Sequence, residues 1–600
     1  MKRFISQPHS VFIVFALFFG GILVFLQPLG AGNDEETHLA RIFEFSLNRP
    51  LPNSYLGKGG LPQSFFLVSY RQEKFLSPVT WEDIKESYQY SVHDPLIIPY
   101  RTRATYSPVN YVIQAVLMRV LGWELDLPLP VLYYVLRFSY VCIYTAFVFL
   151  AIRLIPFGKW LLVILALAPI TLLQFATISS DAVTIGVSFL FIGWLLFLIH
   201  DQITMNRKNL IITFGLLFLL ASVKVNSIPL FLLLILLKPS QFSSRKSIVL
   251  FWLGVIGMLG VVAGGWNLIA WQSDAVRRGL EGTSPFTVVF NSLKDPLGFL
   301  MTLFQYIGRN MKTVLIGWTA AYGYEYWTVP GLVFLLYPLA LVFGFLHSVS
   351  EKRLPPRLRW GLLFLFLFTF LGTFALRLIL KQNMSADVST HGRYFTVIMP
   401  LVLLGFTAWG WRLPLSRWFA PISAITLVLT LVIYLGGMGL SFYQLCGENS
   451  YNGLDCLQPV YKNWNPSQES MIVMPQDGLV QQSFVADCDI IDQVSVQVLN
   501  LNSNQPSGEF ILSVIDPGRD RFIASQNMLM QSVPVNGKIV LDFPSYEDIV
   551  NREIVIQIKD ISTTQNLGIA VSDSGEYRGT FSIDEEKLDM DMLFHYRCIQ

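Results

Sequence analysis

Charge is scarce in this sequence. Asp, Glu, Lys and Arg make up 14% of its 600 residues against 53% hydrophobic ones, a balance that excludes a water-soluble protein of this length and points to a bilayer as solvent. An excess of either sign is missing too. The 43 basic and 41 acidic residues leave a net charge of +2, which excludes a nucleic-acid footprint and a polyacidic tail, so no nucleic acid partner is expected. The chain lacks a P-loop, a G-x-G-x-x-G, an H-E-x-x-H and a paired C-x-x-C, so no nucleotide cofactor is expected and a thiolate metal centre has no support. It has no internal repeat and no low-complexity tract. Met1-Lys2-Arg3 and the apolar run from Val11 to Leu29 look like a signal peptide, but no small-residue cleavage site precedes Asn33 and further spans follow. The run therefore reads as a retained first transmembrane helix.

Apolar runs close to the roughly 20 helical residues that cross about 30 Å of hydrocarbon recur over residues 1–445. Eleven spans are expected, at 10–29, 131–152, 160–178, 181–200, 209–223, 226–238, 247–271, 329–348, 360–380, 395–411 and 419–443. Short cytoplasmic loops collect Lys and Arg, which gives an independent test of orientation. With the N-terminus inside, the inner loops hold Arg153 and Lys159, Arg207 and Lys208, Lys238 with Arg245 and Lys246, Lys352 through Arg359, and Arg412 with Arg417. An odd number of spans then puts the C-terminus outside, with long outer segments at 30–130, 272–328 and 381–394. In the second of these, the apolar stretches Phe299 to Ile307 and Val314 to Trp318 are expected to lie on the membrane surface.

Residues 446–477 read as a linker, and from 478 to 600 the pattern changes to period two: Val494, Val496, Val498; Phe510, Leu512, Val514; Ile539, Leu541, Phe543; Ile554, Ile556, Ile558. Broken by Asn, Gly and Pro turns, this reads as an extracytoplasmic β-sandwich, jelly-roll-like. The fold class expected is thus a polytopic α-helical membrane protein with a C-terminal β-sandwich. Of five cysteines, Cys142 lies in a span and the other four fall outside, where disulfides persist; the preferred pairing is Cys446 with Cys456 and Cys488 with Cys598, one of three connectivities.

Directly after the first span comes Asn33-Asp34-Glu35-Glu36-Thr37-His38-Leu39-Ala40-Arg41. On a helix, Asp34, His38 and Arg41 fall at i, i+4 and i+7 and share a face, so a carboxylate, an imidazole and a guanidinium converge. That set suits a general base, or a metal ligand, beside groups that hold a lipid phosphate. The same stretch also reads as a helix start with Asn33 as N-cap and Glu36 at N3. His391-Gly392-Arg393-Tyr394 precedes the tenth span on the same side and reads either as site or as a polar loop with an interfacial Tyr. Asp181, at the outer mouth of spans three and four, and Lys224, between spans five and six, read as site residues or as ordinary loop residues, and Arg137, inside span two, as a structural intramembrane pair or a site residue. Arg101 and Arg103, near Tyr106, are candidates for a phosphate headgroup or for anionic lipid.

An acidic pair in the first outer loop, many spans and a globular outer C-terminal domain resemble the GT-C class of glycosyltransferases, which includes oligosaccharyltransferase catalytic subunits, protein O-mannosyltransferases and aminoarabinose transferases. Asp34-Glu35 with His38 and Arg41, the Tyr106/Pro108/Tyr111 segment, Ser180-Asp181, Lys224 and Gly392-Arg393-Tyr394 look like the pattern of a large bacterial multi-spanning family in that clan, over roughly residues 10–440. The resemblance implies transfer of a sugar from a polyprenyl-phosphate-linked donor to a glycan, lipid or protein acceptor at the outer face of a bacterial inner membrane. It implies Asp34 as base, with Glu35 as its neighbour or substitute, and His38, Arg41, Arg101, Arg103, Lys224, His391, Arg393 and Tyr394 around the donor phosphate. Tyr106 and Asp181 are expected in the same pocket. A divalent metal on Asp34 and Glu35 stays open. A transporter or flippase of lipid-linked glycans and a non-catalytic envelope assembly protein are the alternatives.

Overall fold

The computed structural model describes residues 7–49, 61–68, 79, 81–93, 97–98, 106–270, 294–322, 329–349, 355–381, 391–407, 416–443, 460–462, 469–486, 490–500, 508–519, 521–530, 536–549, 552–562, 567–572, 579–584, 586–588 and 590–599. The chain forms two compact units, Met1–Ser69 with Thr80–Leu440, and Tyr70–Val79 with Ser441–Gln600.

The first unit is helical. Among the described residues seven helices are long and apolar enough to cross a membrane: Pro8–Leu26, Leu129–Leu154, Ser180–His200, Arg245–Ala270, Gly331–Val349, Pro356–Ile379 and Trp418–Tyr443. Four of the eleven expected spans are shorter or broken, and proline explains two of them. In the run expected at 160–178, Pro169 removes an N–H and disfavours helix at Ala168, so the run divides into Lys159–Ala166 and Pro169–Phe175. Carbonyls left over at the break are taken up by side chains: Tyr144 Oη donates to Ala166 O at 2.9 Å and Thr171 Oγ1 to Leu165 O at 3.3 Å. In the run expected at 226–238, Pro229 lies inside a 3-10 helix, Val225–Leu236. At about 2 Å per residue that helix reaches further than an α-helix of equal length. Arg207–Ser222 is the third, and of the run expected at 395–411 the described residues form the helix Met399–Thr407.

Ser180–His200 is the centre of this unit and is almost entirely buried. It packs along Leu129–Leu154, where a side chain at Gly193 would come within 2.9 Å of the Ala151 carbonyl, so only glycine permits the approach. The apolar stretches 299–307 and 314–318, expected on the membrane surface, belong to one helix, Pro296–Thr319. Leu303, Tyr306, Asn310, Val314 and Gly317, spaced three and four apart, are its buried stripe, while Arg309 and Lys312 are exposed. The charges thus interrupt the apolar pattern in sequence without interrupting the helix.

The second unit is a β-sheet domain. Each of the four alternating runs lies in a strand: Ile490–Asn500, Glu509–Asp516, Asn536–Tyr546 and Glu553–Ser562. The strands form a six-stranded and a seven-stranded sheet whose pairings are antiparallel, and inward residues of both, such as Ile556, Leu512, Val496 and Phe594, share one apolar core. Strands begin earlier than expected. Val460–Lys462 pairs with Phe594–Ile599, and Glu469–Val473 with Leu567–Ser572, inside the segment read as linker. Both are too short to show a period in sequence.

Candidate functional site

The helix after the first span runs Glu35–Ser46, one residue later than a cap at Asn33 requires, and its N-cap is Asp34 in the left-handed region (φ 56°). Asp tolerates that conformation better than most residues, but it is still uncommon outside glycine. It separates two adjacent carboxylates. Glu35 turns inward and is fully buried: Arg137 Nε and Nη2 donate to its two oxygens at 2.7 and 2.6 Å, and the backbone N–H groups of Ile178 and Gly32 add bonds of 3.0 and 3.1 Å. Arg137, equally buried, also donates to the carbonyls of Val24, Gln27 and Pro28. So Glu35, expected as the neighbour of the base or its substitute, is a structural anchor with its lone pairs engaged. Arg41 is likewise buried, paired to Glu44 and lying over the Phe45 ring, away from the Asp34 carboxylate. The i, i+4, i+7 face fails because Asp34 stands outside the helix.

Asp34, by contrast, is half exposed and meets residues from far along the chain. Arg393 Nη2 donates to Asp34 Oδ2 at 3.1 Å. The Arg393 Nε is 3.9 Å from Asp181 Oδ2, and Asp181 Oδ1 accepts from Lys224 Nζ at 2.5 Å. Four charges therefore alternate in a row, Asp34, Arg393, Asp181, Lys224, drawn from a helix N-terminus, a pre-helical turn, the first turn of Ser180–His200 and the junction after Arg207–Ser222. Ser179 Oγ accepts from the Asp181 N–H and caps that helix.

Tyrosines line the row. Lys224 Nζ is 5.0 Å from the Tyr106 ring centre and 6.0 Å from that of Tyr394, while Asn226 Nδ2 donates to the Tyr394 carbonyl at 3.0 Å. His38 stacks on Tyr106 (5.6 Å, 15°) and its Nδ1 is 2.7 Å from Tyr111 Oη. Burial, followed by the Lys224 charge, pushes the His38 pKa down to about 4 against the pull of Asp34 and Asp181, so the ring is neutral at pH 7. Burial raises Tyr106 and Tyr111, so both stay phenols. Burial would lower Lys224, but Asp181 outweighs it and the ammonium is held above its usual range.

Of the residues expected at the site, Asp34, His38, Tyr106, Asp181, Lys224, Arg393 and Tyr394 come together; His391 flanks them, its ring 5.6 Å from that of Tyr394. Arg101 and Arg103 lie outside the described residues, as do Cys446, Cys456, Cys488 and the Cys598 side chain. Asp34 and Glu35 point into different surroundings and do not form a joint ligand set, and among the described residues no three of His, Cys, Asp and Glu are grouped to hold a metal. Two residues were not singled out in the sequence. Asn226 shares the polar break with Lys224, which was its one signal, and Arg377, 5.3 Å from the Tyr394 ring, is a single cation at the end of a long apolar run.

Chemically, the site offers a solvent-reachable carboxylate beside buried cations, phenols and a neutral imidazole. None of the curated proteins compared matches the chain. Residues 17–404 match the family described as "Predicted membrane protein (DUF2142)", a range that includes every residue of the charged row. The chain is a multi-pass membrane protein and belongs to that family.

Proposed function

We propose that the protein is a membrane glycosyltransferase, moving a sugar from a polyprenyl-phosphate-linked donor to a glycan, lipid or protein acceptor of the cell envelope. The observation that carries this reading is the contact of half-exposed Asp34 with Arg393, whose buried Nε has no hydrogen-bond partner among the described residues. An inverting displacement needs a base on the acceptor and cations on the departing phosphate, and this pair supplies one of each. The acceptor hydroxyl gives its proton to Asp34 as its oxygen bonds to the anomeric carbon. The bond from that carbon to the phosphate oxygen breaks, its electron pair leaves with the polyprenyl phosphate, and Arg393 and Lys224 offset the added charge. Neutral His38 offers a hydrogen bond without adding charge. The proton on Asp34 then passes to water.

In the same reading the four shorter or broken apolar helices join the seven long ones as eleven crossings, the N-terminus is cytoplasmic, and the two sheets form a sandwich outside the bacterial inner membrane. Lys and Arg in alternate loops support that orientation. The test is transfer of radiolabelled sugar from polyprenyl-phosphate donors to envelope extract by the purified protein. Wild type should transfer, and Asp34→Asn should lose about 100-fold or more. Equal transfer by both would remove Asp34 as base; movement of the lipid-linked glycan across vesicles without transfer would favour a transporter instead.

A further inference from the structure

Tyr394 is surrounded by cations. The Arg377 guanidinium is 5.3 Å from its ring centre, that of Arg393 5.5 Å, and the Lys224 ammonium 6.0 Å. Arg393 is the neighbour of Tyr394 in the Gly392–Phe395 turn, whereas Arg377 comes from the end of Pro356–Lys381 and Lys224 from the junction before Val225–Leu236, so the fold brings these two to the ring. Three like charges on one ring repel each other, and a phenol's quadrupole is a weak counterweight. Asp181 answers Lys224 at 2.5 Å and Asp34 answers one arm of Arg393 at 3.1 Å. The Arg393 side chain is only 7% exposed, and its Nε, 3.9 Å from Asp181 Oδ2, makes no hydrogen bond among the described residues. A buried guanidinium N–H in that state is a vacancy for an acceptor oxygen.

We infer that Tyr394 is the hub of an anion cradle in which Arg377 joins Arg393 and Lys224 to bind the phosphate of a lipid-linked ligand. This rests on the glycosyl-donor reading and adds to it a residue and a geometry. All three cations lie within 6.0 Å of the one ring centre, and the Arg393 Nε supplies a donor that has no hydrogen bond among the described residues. Tyr394 is held for this by the bond from Asn226 to its carbonyl.

Binding of polyprenyl monophosphate to the full chain in nanodiscs tests the cradle, with inorganic phosphate as a separate probe. Wild type should bind the lipid; Arg377→Gln should weaken binding about 10-fold or more, and Arg377→Lys, which keeps the charge, should recover part of it. Arg359→Gln, at the other end of the same helix, should bind as wild type does. Tight lipid binding by wild type and Arg377→Gln alike overturns the cradle and leaves the donor reading standing. Failure of wild type to bind the lipid overturns both. Inorganic phosphate bound with the same Arg377 dependence, without lipid binding, would reassign the site to a soluble anion.

Discussion

Two adjacent carboxylates with opposite fates show how much one backbone angle decides. Glu35 is enclosed with Arg137 in the helical unit, and removing it strands a buried guanidinium inside a span. Glu35→Ala should therefore cost about 3–5 kcal/mol, seen as a large drop in the thermal transition of the detergent-purified protein. Adding Arg137→Leu should return part of it. Asp34→Asn should leave the transition nearly unchanged, since Asn also accepts the left-handed backbone. His38 gives a pH signature. Its folded-state pKa lies below its unfolded value, so the unfolded state binds the extra proton first and stability falls as pH drops from about 6.5 toward about 4, by about 3 kcal/mol in all. His38→Gln should flatten that part of the pH–stability curve. The site residues were legible because ionisable groups beside apolar runs are costly and stand out. That Glu35 turns inward to Arg137 and Arg41 pairs with Glu44 was not legible, because it depends on those partners and on the angle at Asp34, none of which periodicity encodes.

At the scale of elements, one small residue ties the site to its support. A Cβ on Gly392 would lie 2.1 Å from the Val314 carbonyl oxygen and 2.2 Å from the Trp318 nitrogen, both backbone atoms of Pro296–Thr319. Gly392→Ala should push the turn off that helix and carry Arg393 with it, costing about 1–3 kcal/mol and most of the transfer activity. Gly193→Ala, in a helix contact away from the charged row, should cost comparable stability with a smaller loss of activity per folded molecule. Comparing activity with folded fraction separates the two. Long uninterrupted spans were legible from hydropathy, since only one structure satisfies backbone polar groups in a thin apolar run. The broken 159–175 segment was not, because its hydropathy is unbroken and the interruption is a matter of Pro169 and the acceptors that Tyr144 and Thr171 satisfy.

For the whole molecule, the β-sheet domain has a core of its own. Phe484 stacks on Tyr596 at 4.6 Å within it, and Phe484→Ala should cost that domain about 3–5 kcal/mol, read as faster limited proteolysis of residues 441–600 in the full chain. Orientation is tested by an impermeant thiol reagent on intact cells, which should label Asp548→Cys and spare Ser243→Cys. The β domain was legible from four period-two runs; its outermost strands, three and five residues long, were not. The central helix Ser180–His200 is the most apolar of the seven and also the most enclosed by protein. During synthesis, however, it leaves the insertion machinery before its later partners exist, and lipid is the only apolar phase open to it on that flank. Its greasiness therefore serves the passage into the membrane more than the place where it finally rests.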